Sequence, residues 1–155
     1  MRNFVRALIL VATLVSTNVY AGPAEDAVAI VARWATAFNS NDVQALVNLY
    51  APDAVLLGTT GFSLVEGQAA IRDYFSRLAT SGDKVAIGEQ KVALLDDNVA
   101  YVTGIYEFTA SRGGETRKAP AGFTMVLIKR GGDWLIVHHH SSRRYPSASA
   151  PSRRG

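Results

Sequence analysis

The hydrophobic period changes once along this chain, and that switch limits its fold more than any other feature. From Ala27, the apolar residues Ile30, Val31, Trp34 and Phe38 recur every three or four positions, the spacing of one helix face. Asn39-Ser40-Asn41-Asp42 interrupts the pattern, and Asp42 is placed to cap a second short helix that runs to Tyr50 and is ended by Pro52. Ala54 to Leu57 reads as a first, buried strand. Glu66 to Leu78 reads as a third helix with Ala70, Ile71, Tyr74, Phe75 and Leu78 inward. After Lys84 the period becomes two. Strand-like runs cover 84–89, 92–95, 99–109, 122–130 and 134–142, with turn residues at Asp96-Asp97-Asn98, Gly113-Gly114 and Gly131-Gly132-Asp133. Links this short join antiparallel neighbours. The expected class is α+β: three N-terminal helices packed on one face of a curved antiparallel sheet.

The two ends differ from this body. Arg2 and Arg6 precede an apolar run from Ala7 to Val15, and Val19-Tyr20-Ala21 supplies small residues at a cleavage position. That order predicts a secretory signal peptide over 1–21 and a periplasmic or secreted mature protein. The run is much shorter than the roughly 20 residues a membrane span needs. The domain is expected over 22–142, and residues 143–155, with four arginines and nothing to bury, read as a disordered basic tail. Between 22 and 142 the chain carries 10 basic and 13 acidic side chains, which argues against a nucleic-acid groove. The chain has no cysteine, which excludes disulfides, thiolate metal sites and thiol nucleophiles.

Several segments together carry a family resemblance. They are the Trp34 helix, Asn41-Asp42 ahead of Leu49-Tyr50, Pro52-Asp53, Leu64-Val65-Glu66-Gly67 leading into Arg72-Asp73-Tyr74-Phe75, and the ending from Gly132 to Ser142. The chain resembles the association domain of calcium/calmodulin-dependent protein kinase II in a bacterial stand-alone form. That domain sits within the SnoaL-like and nuclear transport factor 2-like group. The resemblance covers about 24–142 and implies a conical half-open barrel with a pocket between the first helix and the concave face of the sheet. It also implies self-association through the other face. Kinase motifs are absent, so no kinase activity is inherited. The family's pocket carries a histidine and three arginines; the matching positions here are Ile71, Ile105, Met125 and Ser141, none of them basic. The resemblance therefore implies an apolar pocket.

Within that frame, alternation along the strands assigns faces. Leu135, Val137, His139 and Ser141 share one parity, expected to face the pocket with Phe123 and Met125, and with Thr103, Ile105 and Glu107. Trp34 and Ile71 would close the pocket from the helices. Glu107, His139 and Ser141 would then meet near the mouth, where a carboxylate could orient the imidazole, raise its pKa and let it move protons. Trp134, Ile136, His138 and His140 are expected on the outer face, under a subunit contact. His138 and His140 supply only two ligands on one face, where a catalytic metal needs about three, so no metal is assigned. No phosphate loop or dinucleotide fingerprint occurs, and no cofactor is assigned. The leading expectation is a homodimer or larger assembly whose cone holds a small apolar molecule. The alternative is a cofactor-free acid–base enzyme of the SnoaL or ketosteroid isomerase kind using Glu107 and His139.

Overall fold

The computed structural model describes residues 22–61 and 63–144. The signal peptide expected over 1–21 and the part of the tail from 145 onward lie outside the described residues. Helix α1 (Pro23–Asn39) starts with proline in its first turn, where the missing N–H has no helical partner to lose. It buries Ala27, Ile30, Val31, Trp34 and Phe38, the face its spacing predicts. Asn41 takes a left-handed φ of 60° to turn the chain, and the Asp42 carboxylate accepts from the Ala45 N–H at 2.9 Å to cap α2 (Val43–Val47).

Helix α2 is shorter than the sequence predicts. Tyr50 does not end it but opens β1 (Tyr50–Leu57). β1 pairs in parallel with β6, Tyr50 opposite Ile136, so its early residues have a tertiary partner that local propensity cannot reveal. Pro52 falls where that register shifts, and it therefore interrupts no ladder bond of a regular pair. β2 (Val65–Glu66) pairs with β1, and α3 (Gly67–Phe75) and α4 (Leu78–Ser81) follow. Four long strands complete the sheet: β3 (Lys84–Asp96), β4 (Val99–Arg112), β5 (Glu115–Arg130) and β6 (Asp133–Arg143). The sheet has six strands in the order β2-β1-β6-β5-β4-β3, antiparallel except at β1–β6. The expected α+β cone is present.

Two hairpin loops have two residues each, Gly113-Gly114 and Gly131-Gly132, and every one of these glycines has positive φ. That combination is a type I′ turn, whose twist suits the strands it joins. The two runs expected at 84–89 and 92–95 form one strand with a bulge between Ile87 and Gln90. Opposite the bulge, a Cβ on Gly104 would stand 2.6 Å from the Glu89 carbonyl oxygen, so only glycine lets the backbones approach there. This bend helps curl the sheet over α1.

A second bulge decides which side chains face inward. Met125 pairs with His139 and Val126 with His138, but Leu127 pairs with Ile136, leaving Val137 as the extra residue on β6. One extra residue reverses parity. Trp134 and Ile136 therefore point into the core on the same face as His139 and Ser141, and not outward as alternation predicts. On β4 the inward set is Ala100, Val102 and Tyr106, whereas Thr103, Ile105 and Glu107 take the outer face. Both faces of that strand are apolar enough that period alone cannot choose between them.

Candidate ligand-binding site

A cavity of about 390 Å³ opens between the concave sheet and the helices, large enough for a small organic molecule. Its walls are aromatic. The Trp34 ring stacks on Tyr106 (centroids 6.0 Å, 14° between planes), and Tyr106 stacks on Phe123 at 4.9 Å. Phe38, Phe75 and Phe108 add apolar surface, and Tyr74 lies across Gly58, where any Cβ would collide with the phenol. Arg77, Arg112 and Arg143 stand at the cavity's exposed edge with Asp83. Arg112 is committed to Asp83 at 2.9 Å and to the Ser81 carbonyl at 2.8 Å. Arg143 begins the expected tail but belongs to β6 in the structure.

The deep end is polar and neutral. Trp34 Nε1 donates to Tyr50 Oη at 2.9 Å, and Tyr50 Oη meets His139 Nδ1 at 2.8 Å. His139 Nε2 lies 3.5 Å from Tyr106 Oη, which donates to Ser141 Oγ at 2.5 Å; Ser141 Oγ in turn contacts Thr59 Oγ1. Tyr50 and His139 are fully enclosed. Burial, with smaller repulsions from His138 and His140, lowers the His139 pKa to about 3, so the imidazole is neutral at ordinary pH. Burial also drives the Tyr50 and Tyr106 phenols upward, so neither ionises.

Neutrality fixes the tautomer. Indole N–H can only donate, so Tyr50 accepts from Trp34. If His139 Nδ1 also donated to Tyr50, the buried phenol hydrogen would have no acceptor, a cost of about 1–3 kcal/mol. Tyr50 therefore donates to Nδ1, and the single imidazole hydrogen sits on Nε2, facing Tyr106.

The structure brings together some of the residues singled out in the sequence and separates others. Trp34, His139 and Ser141 line the cavity. Ile71, Phe123 and Met125 are buried core beside it. Thr103 is on the outer face, its hydroxyl donating to the Phe123 carbonyl at 2.9 Å. Ile105 is 37% exposed there, so the position matched to a family pocket arginine does not reach the pocket. Glu107 also faces outward and pairs with Lys118 at 2.7 Å. The expected Glu107–His139 pair is not formed, and the imidazole pKa moves down, not up. Among the described residues, no cluster of three His, Asp or Glu side chains could hold a metal ion. The sequence reading missed Thr59 and Tyr106 as cavity residues and Tyr50 as the histidine's partner. A hydroxyl beside an apolar parity signal was the only trace of Tyr106.

A family model for the SnoaL-like domain matches residues 28–146. The chain belongs to the SnoaL-like domain family. Among solved structures it is similar to a Xanthomonas campestris protein assigned as a calcium/calmodulin dependent protein kinase II association domain. They share 33% identity and a TM-score of 0.73 over 88% of this chain and 100% of that one. The association domain of C. elegans CaMKII gives 21% identity and a TM-score of 0.67, covering 76% and 93% of the two chains. A ketosteroid isomerase-like protein from Erwinia carotovora gives 21% and 0.69, covering 82% and 100%. At these identities the last two share the fold with this SnoaL-like domain and carry nothing finer. No curated protein sequence matches.

Proposed function

We propose that this SnoaL-like domain is an exported, homo-oligomeric binding module whose cone holds a small, largely apolar ligand. The observation that carries this reading is the half-open aromatic cavity ending in a neutral hydrogen-bonding relay. Aromatic walls reward burial of apolar area, about 25 cal/mol per Å² removed from water. A small carboxylate without an apolar body gains little: Arg77 and Arg143 are exposed, and solvent and salt screen them.

The same geometry weighs against the acid–base alternative. A general base works best with a pKa near the operating pH, whereas His139 is held near 3 and Glu107 lies across the sheet.

Self-association is supported by the outer face. That face carries Val126, Ile128 and the exposed Ile105, the β6 bulge adds Leu135, and His138 and His140 lie between them. Trp134 and Ile136, which simple alternation places on that face, support the core instead. Apolar area of this kind is seldom left uncovered on a monomer, and a relative's name as an association domain points the same way. Export rests on the basic, apolar and small-residue order of 1–21.

Native mass spectrometry of protein purified from its own host tests both parts. The expected spectrum shows a dimer or larger species with a retained neutral compound, and Leu135→Lys should shift it toward monomer. A monomer with an empty cavity, whose melting no neutral aromatic compound raises, would overturn the proposal.

A further inference from the structure

Two of the three consecutive histidines have no part in the cavity. In a single subunit His138 is half-buried and His140 exposed, both on the outer face of the sheet. β6 is a central strand, so both sit in the middle of that face. Their cross-strand neighbours are neutral. His138 is flanked by Val126 on β5 and Val55 on β1, and His140 by Thr124 and Leu57. On β4, Tyr101 lies beyond Val126 and Thr103 beyond Thr124. Neither histidine forms an ion pair among the described residues.

The charged groups of this face lie farther out. Glu66 on β2 is opposite Val55, so β1 separates it from His138. Two strand spacings are about 10 Å, roughly one Debye length at 0.1 M salt, and an exposed carboxylate at that range compensates little. Lys91 on β3 is opposite Thr103. Asp133 opens β6 opposite Arg130, which also holds Asp53 at 2.8 Å, and Glu107 is taken by Lys118 at 2.7 Å. Arg144, just past β6, adds positive charge. A proton on His138 or His140 therefore meets no carboxylate among its neighbours in the register.

From this arrangement we infer that the outer face is a pH-gated interface between copies of this chain, closed while His138 and His140 are neutral and opened by acid. The gating rests on the proposed self-association through that face and adds its control. A contact that covers the apolar Leu135, Val126, Ile128 and Ile105 also covers the two imidazoles between them. Copies meeting through one face bring the same residues against one another. A proton on either ring would then be a buried charge with like charges arriving from the other copy. Free subunits bind that proton and the assembly excludes it. A solvated imidazole titrates near 6.5, so association is full well above that pH and weakens as pH falls below it. One such histidine in each of two subunits weakens a dimer about 100-fold at pH 5.5, and both histidines weaken it further.

Analytical ultracentrifugation near pH 8 and pH 5.5 reads the dissociation constant, with near-UV circular dichroism showing that the subunits stay folded. The parent should dissociate at least about 100-fold more readily at the lower pH, and the double variant His138→Gln/His140→Gln about equally at both. A parent whose constant is unchanged, or whose assembly tightens in acid, would overturn the gating and leave self-association intact. A double variant that keeps the parent's pH dependence would overturn the assignment to these histidines. If the double variant fails to assemble near pH 8, labelling with diethyl pyrocarbonate decides. His138 and His140 should react more slowly in the parent than in Leu135→Lys monomers, and equal rates would overturn the inference. A parent that is monomeric near pH 8 would end the self-association reading and the gating together.

Discussion

Acid should destabilise this protein through His139, and the structure sets the size of the effect. An imidazole in the unfolded chain titrates near 6.5, whereas burial lowers the folded value to about 3. A depressed histidine pKa means that, below 6.5, the unfolded state binds a proton the folded state does not. Stability is therefore full near pH 8, falls as pH drops through 6.5, and stops falling on this account only near 3. At about pH 5 the loss is roughly 1.5 pH units at 1.36 kcal/mol each, or about 2 kcal/mol. Other groups titrate over the same range, so a difference between two proteins is needed. His139→Gln can accept from Tyr50 and donate toward Tyr106 but cannot titrate. Urea unfolding of both proteins near pH 8 and pH 5 should show the parent losing about 2 kcal/mol more than the variant. Parallel losses in the two proteins would refute the claim that His139 is buried and neutral.

Further outcomes concern the backbone and the proposed export. Gly104→Ala places a Cβ 2.6 Å from the Glu89 carbonyl oxygen and should cost about 1–3 kcal/mol in urea unfolding. Gly82→Ala meets no atom within 4 Å but must hold a φ of 67°, and should cost about 1 kcal/mol; a Gly104→Ala protein as stable as the parent would contradict the close approach at the β3 bulge. N-terminal sequencing of protein from the periplasm or medium should begin near Gly22, and cytosolic protein retaining residues 1–21 would end the export proposal.

Much of the fold was legible because local chemistry and tertiary demand agree. The helix face from Ala27 to Phe38 is buried as spaced, Asp42 caps where a carboxylate should, and the paired glycines turn the hairpins. The inward set of β5, with Phe123 and Met125, also follows plain alternation. The site was less legible, since it depends on where alternation breaks. Residues 134–140 are a continuous run of apolar and imidazole side chains, and nothing in them marks Val137 as the bulged residue. That extra residue puts Trp134 and Ile136 on the same side as His139. Along β4, Ile105 and Tyr106 are both good strand residues, and α1 covers the face that carries the tyrosine. The sequence alone determined the class, the buried face of α1, the hairpin turns and the order of the long elements. Only tertiary packing decided which neighbour of each apolar pair turns inward, because a strand's period has two phases and the choice between them belongs to whatever the sheet packs against.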